Sequence, residues 1–282
     1  MKYQYSFHSR LRDDLCHYLN QHDIAYETIG GPSDRSALMF FSVWSTQKDC
    51  DCILKDIYTL TLEKPWIYVH YSDKDLFSAE LLTMRPKSTK MCIANIDESF
   101  RYSCKWSYMA DRFEMHKANH KDQIGTIMIQ KEPSATTKTV FWGPNDGGTI
   151  IFADKKVESL IRKENLEGIL FKDVLLKNHT PSARVTQMLA EHTIQKSDVV
   201  LGRGEKEIVC EMCGKKQYAL PDAYELHLYN SPIYWEKDFF STERIWGDGI
   251  AQPMYIVSQR FYRLLKENKL TAQVEFTPVI LE

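Results

Sequence analysis

Long hydrophobic runs are missing from this chain. The most apolar stretch, residues 37–44, falls far short of the ~20 residues that cross a bilayer, and Met1-Lys2-Tyr3-Gln4-Tyr5 lacks the apolar core of a signal peptide. A cytoplasmic protein with no membrane association is expected. Charge of one sign is also missing: 36 Lys and Arg stand against 38 Asp and Glu, a formal charge of −2. That balance gives no general pull toward nucleic acid, so no nucleic-acid partner is expected, although a local basic patch stays compatible with it. Cysteine is sparse. Seven thiols, an odd number scattered over 282 residues, do not make the disulfide framework on which small secreted domains rely. Asn178-His179-Thr180 matches a glycosylation pattern, but Pro181 follows and no secretion signal precedes it, so it is expected to go unused.

What is present is globular. A hydrophobic share of 43% and an aromatic share of 12% argue against long disorder, and the length favours about two domains. Residues 150–176 and 254–281 read as copies of one strand, capped helix and strand. With one gap, Asp154 aligns with Ser258 as helix N-cap, and Val157/Leu160/Ile161 with Phe261/Leu264/Leu265 as an i, i+3, i+4 apolar stripe. Phe171-x-x-Val174 then aligns with Phe276-x-x-Val279. Neither copy carries a phosphate loop, a nucleophile elbow or a paired His and carboxylate at its turns, so the unit reads as scaffold.

The first 72 residues predict strand, helix, strand, strand, helix, strand. The segments are a strand at 2–8, a helix capped by Ser9, strands at 24–29 and 37–44, a helix around Ile53 to Leu60, and a strand at 66–71. This order resembles the ferredoxin-like split βαβ arrangement. A short helix from Ser72 or Asp73 through Leu82 follows, and Pro86-Lys87-Ser88 reads as a linker. Short strands are expected at 91–96, 124–130 and 139–142. Thr180 as N-cap with Pro181 at the first helical position predicts a helix to about Gln195. The expected class is therefore α+β: a ferredoxin-like domain at 1–86, a β-rich connecting segment at 87–149 packed on the second domain, and an α+β domain at 150–282 holding the duplicated unit.

Cys210-Glu211-Met212-Cys213-Gly214, between strand-like arms at 205–209 and 217–220, is the sharpest motif. Two thiolates three apart can hold one face of a tetrahedral zinc, and the glycine permits the turn that brings backbone N–H groups toward sulfur. Two more ligands are needed, with Cys104, His116, His120, His179, His192 and His227 as the candidate donors. Without them the knuckle keeps its turn metal-free. A redox pair would open a helix, and nothing helical follows Gly214. His116 and His120 are spaced for one helix face, but Lys117 stands where a metalloprotease needs Glu, and an exposed turn explains them better. Cys50-Asp51-Cys52 reads as ordinary helix burial. Gly202-Arg203-Gly204-Glu205-Lys206 lacks the residues of a phosphate cradle, and Gly147-Gly148 reads as a backbone turn. The tract with Tyr224, Tyr229, Tyr234, Trp235, Phe239, Phe240 and Trp246 is either a second core or a binding surface; Tyr229, Tyr234, Trp235 and Trp246 are the candidate partner contacts.

Cys210-x-x-Cys213-Gly214, Asp238-Phe239-Phe240, Ile256-Val257-Ser258-x-x-Phe261 and Phe276-x-Pro278-Val279 together resemble the double-CXXCG and related immunity-protein families, encoded beside bacterial polymorphic or contact-dependent toxins. The similarity covers about residues 140–282, and only one CXXCG is present. It implies a non-enzymatic protein that binds and neutralises a cognate toxin encoded nearby. From the Cys210/Cys213 spacing the expected cofactor is zinc or none, and a homo-oligomer is compatible with the sequence. The rival readings are metal or thiol chemistry at Cys210/Cys213 and a zinc-ribbon-like nucleic-acid binder.

Overall fold

A computed structural model of the chain describes residues 1–30, 37–63, 65–88, 90–102, 121–144, 150–200, 207–209, 216–218, 225–230, 236–243 and 253–282. These residues form mixed α+β structure in two compact units, one of Met1–Asp75 and one holding the described residues from Leu76 onward.

In the first unit β1 (Lys2–Arg10), α1 (Asp13–Gln21), β2 (Tyr26–Ile29), β3 (Leu38–Trp44), α2 (Cys50–Thr61) and β4 (Trp66–His70) follow in that order. The sheet runs β2-β3-β1-β4 with every neighbour antiparallel, so β3 lies between the mutually parallel β1 and β2. Phe7, Met39, Phe41 and Val43 meet Leu15, Leu19, Ile53 and Ile57 of the helices, and Phe7 stacks on Phe41 at 5.1 Å. Each such buried side chain contributes about 1.5–3 kcal/mol. Ser9 does not cap α1. It is buried within β1 opposite Met39, and the helix starts after extended Arg12, with Asp13 and Asp14 placing negative charge at its positive end.

The second unit opens with α3 (Asp73–Ser78), in which the division between units falls, and β5 (Leu81–Pro86). Then come α4 (Ile96–Ser99), β6 (Phe100–Tyr102), β7 (Lys121–Gln123), β8 (Met128–Ile129) and β9 (Phe141–Trp142). The first copy supplies β10 (Ile151–Asp154), α5 (Lys155–Lys163) and β11 (Ile169–Leu176), followed by β12 (Pro181–Ala190) and β13 (Thr193–Ile194). Next are β14 (Glu207–Val209), β15 (Lys216–Tyr218), β16 (His227–Leu228) and β17 (Phe239–Thr242). The second copy is β18 (Tyr255–Ser258), α6 (Gln259–Glu267) and β19 (Val274–Pro278), and β20 (Ile280–Leu281) ends the chain.

The structure differs from several of these expectations. The helix foreseen through Leu82 stops at Ser78, and residues 81–86 become a central strand paired with β18 and β19. Contacts divide the described residues after Asp75. The helix foreseen from Thr180 to Gln195 is strand β12 instead. Its run of four buried residues, Val185-Thr186-Gln187-Met188, suits a strand covered on both faces, and that burial outweighs the helix-start signal of Thr180-Pro181. Residues 91–96 give only bridges at Met91 and Ile93, and 124–130 only the short β8.

The duplication extends well beyond strand, helix and strand. The sheets run β8-β11-β12-β10-β9 and β13-β17-β18-β5-β19, so each copy has an antiparallel strand inserted between its own two. The registers coincide. Met188 lies opposite Ile151 and Phe171, as Met84 lies opposite Tyr255 and Phe276. Ala153 faces Phe141 and Val257 faces Phe239. One shared core takes Phe141, Ile151, Ala153 and Met188 from one sheet, their counterparts Phe239, Val257 and Met84 from the other, and both helix stripes. On the outer faces Trp142, Phe152, Val174 and Val185 match Phe240, Ile256, Val279 and Leu81 one for one. The inserted strand follows directly in the chain in one copy and lies far upstream in the other.

Candidate functional site

Both expected N-caps form. The Asp154 carboxylate accepts from the Lys156 N–H at 3.0 Å and the Ser258 hydroxyl from the Phe261 N–H at 3.1 Å. Each cap is joined to a carboxylate–guanidinium pair. Arg184 Nε donates to Asp154 Oδ2 at 2.6 Å, its Nη1 to the Ser134 carbonyl and its Nη2 to the Thr137 carbonyl at 3.0 Å, with Trp142 beneath it at 5.6 Å. In the second copy buried Asp238 accepts from the Ser258 hydroxyl at 2.6 Å, the Glu167 N–H at 3.0 Å and Arg260 at 3.3 Å. Such charge-assisted bonds fix the helix starts against the sheets. They engage these buried carboxylates in structural contacts, which suits cross-linking better than proton transfer.

The copies also clasp each other. The loop entering β11 meets the entry to β17: Asp238 N–H donates to the Glu167 carbonyl at 3.0 Å and Lys237 pairs with Glu167 at 2.8 Å. That pairing holds the Glu167 carboxyl below its usual range and the Lys237 ammonium above its own. Gly168 has φ +84°, and a Cβ there would collide with the Phe239 carbonyl oxygen. Reciprocally, the loop entering β19 meets the entry to β9, where Gln273 Oε1 accepts from the Val140 N–H at 2.5 Å and its Nε2 donates to the Lys138 carbonyl at 2.6 Å.

A groove of about 680 Å³ opens on β11 and β12, bordered by the segment from Gln123 to Thr126. Its floor is a reciprocal amide pair: Gln123 donates to Gln187 at 3.0 Å and Gln187 to Gln123 at 2.7 Å. Gln187 is buried in β12 opposite Lys172. Ser99 accepts from the N–H groups of Ile124 and Gly125 at 2.8 and 3.3 Å, which positions the rim, and an added Cβ at Gly125 would press the Glu98 carbonyl at 3.2 Å. Lys172, Asp173, Ile124 and Leu189 complete the lining. Amides, one cation, one carboxylate and apolar edges offer hydrogen bonds and packing to an elongated ligand. The sequence pattern hides this site, because Gln187 reads as the polar face of a helix once residues 181–195 are taken as helical.

Of the expected site residues, Cys210, Cys213, Tyr234, Trp235 and Trp246 lie outside the described residues, as do Cys104, His116 and His120. The arms around the cysteines do pair, with Glu207 opposite Tyr218 and Val209 opposite Lys216. Tyr229 is exposed just beyond β16, its N–H bonded to the Asp198 carbonyl at 2.9 Å. Phe239 and Phe240 of the same tract are core, not surface. His179 sits in the turn after β11, His192 lies 3.8 Å from Glu191, and His227 bonds Glu282 at 2.7 Å. Among the described residues no cluster of His, Cys, Asp or Glu is arranged to hold a metal. Burial and the adjacent Asp51 push the Cys50 thiol up, consistent with an unreactive helix residue. Among the described residues no helix is long and apolar enough to cross a membrane.

Compared with known proteins, the chain matches no family model, no curated protein and no solved structure.

Proposed function

We propose that the chain is a non-enzymatic binding protein of the bacterial immunity type, which captures a cognate toxin encoded nearby and blocks it in the cytoplasm. The observation that carries this reading is the amide-floored groove on β11 and β12, whose lining offers donors, acceptors and apolar edges to a docking chain. The similarity of Cys210-x-x-Cys213-Gly214 and the segments from Asp238 to Val279 to toxin-neutralising families supports it, and Tyr229 is a further partner contact. The order β2-β3-β1-β4 with helices after β1 and β3 supports reading the N-terminal unit as ferredoxin-like.

The test is co-expression with the product of the adjacent reading frame. A stoichiometric complex in which that product loses its toxicity is expected, and Gln187→Arg, which fills the groove with a bulky cation, weakens the complex at least about tenfold, as loss of a hot spot does. A neighbour that stays toxic and unbound refutes the reading. Zinc analysis of the same preparation decides whether Cys210 and Cys213 carry metal.

A further inference from the structure

The N-terminal sheet has a second face, on the side away from α1 and α2. Alternation along the strands places Leu38, Phe40 and Trp44 of β3 there, with His8 of β1 and Tyr68 and His70 of β4, all of them exposed. Their arrangement is ordered. His8 stacks on Phe40 at 6.5 Å and Trp44 contacts His70 at 4.8 Å. Between these pairs runs a polar row: His70 bonds Gln4 at 2.8 Å, Gln4 donates to Ser42 at 3.0 Å, and Ser42 bonds Ser6 at 2.8 Å.

Charge is segregated between the two layers of this unit. Lys2 and Arg10 stand at the two ends of β1 in the same alternation as Gln4, Ser6 and His8, with Glu27 the one carboxylate on the outward face of β2. The helix layer is acidic, residues 12–23 and 48–56 holding six aspartates against three Lys and Arg side chains. A net charge near zero for the whole chain thus conceals a face whose charges favour an anionic ligand.

Size narrows the ligand further. Four strands about 4.8 Å apart and about 20 Å long give a flat footprint of about 400 Å², with rings along its middle strand and cations at the two ends of its neighbour. A narrow anionic chain with flat apolar groups matches that layout. We propose that this face binds a single-stranded polynucleotide, with bases stacked on Phe40, Trp44 and Tyr68 and phosphates met by Lys2 and Arg10. Exposed aromatic rings, hydroxyl and amide groups between them, and cations at the ends are the elements that such recognition uses.

The test is fluorescence anisotropy of the full chain with labelled RNA and DNA single strands of roughly twelve nucleotides, and with the matching duplex. Binding of either strand, at least about tenfold tighter than the duplex, is expected, and the two strands separate RNA from DNA selectivity. Phe40→Leu with Trp44→Leu keeps the positions apolar but removes the rings and weakens binding at least about tenfold, whereas Phe40→Tyr with Trp44→Phe retains it. Lys2→Gln and Arg10→Gln, each on the surface, lower the salt slope by about 0.7 apiece and keep the proposal testable should the leucine pair misfold. Failure of both strands to bind, equal binding by the leucine pair with an unchanged melting midpoint, or displacement by polyglutamate at equal concentration overturns it, the last pointing to an acidic peptide.

Discussion

In the first strand–helix–strand copy the cap is itself the carboxylate, Asp154, and the guanidinium comes from the inserted strand, Arg184. In the second the cap is a hydroxyl, Ser258, the carboxylate is Asp238 just before β17, and the guanidinium is Arg260 in the first turn of the helix. The backbone places the same chemical groups at the same helix end from different sequence positions. What the geometry keeps is the requirement that orphan N–H groups of a buried helix start meet an acceptor, and that the acceptor's charge be balanced. Which residue supplies each part is left open.

Substitutions at equivalent places sharpen this comparison. Asp154→Ala removes cap and ion pair together and strands Arg184, whose side chain is only 19% exposed, so a loss of about 3–5 kcal/mol is expected in chemical denaturation. Asp238→Ala leaves the Ser258 hydroxyl and the Glu167 N–H without their acceptor, but Arg260 is more than half exposed and keeps the Glu164 and Asn165 carbonyls as partners, so the loss is smaller, about 1–3 kcal/mol. Equal effects from the two would break the view that the charge is held differently in the two copies. At the clasping loops, Gly168→Ala meets both a left-handed backbone and the Phe239 carbonyl and costs about 2 kcal/mol, while Gln273→Ala at the equivalent position loses side-chain hydrogen bonds and costs about 1 kcal/mol. The reverse order would show that the loop at Gly168 yields easily.

Part of this was legible in the residues. The Asp154 and Ser258 caps, the two apolar stripes and the Phe171/Phe276 alignment mark the repeat, because a helix end and a helix face have local signatures. The inserted strands have none. Met84 and Met188 occupy the same place in their sheets, yet Leu81-Leu82-Thr83-Met84 and Val185-Thr186-Gln187-Met188 share little, and one strand lies before its copy while the other follows. The sequence pattern puts a helix end at Leu82 and a linker at Pro86 in place of the first, and a helix from Thr180 in place of the second, since short runs buried on two faces lack strand alternation. The outward aromatic face of β3 was hidden similarly. Residues 37–44 read as one apolar run, the mark of a strand with apolar groups on both sides, without saying that one side is open. The groove depends on Gln123 and Gln187 meeting across the fold, which spacing along the chain does not report.

Because the two copies share one core, the expectation is that they stand or fall together. Hydrogen exchange of two equivalent amides tests it most directly: Asp154 N–H, bonded to the Val140 carbonyl, and Ser258 N–H, bonded to the Asp238 carbonyl. Opening free energies that agree within about 1 kcal/mol are expected. A difference of more than about 3 kcal/mol would mean that one copy unfolds while the other persists, and would contradict it.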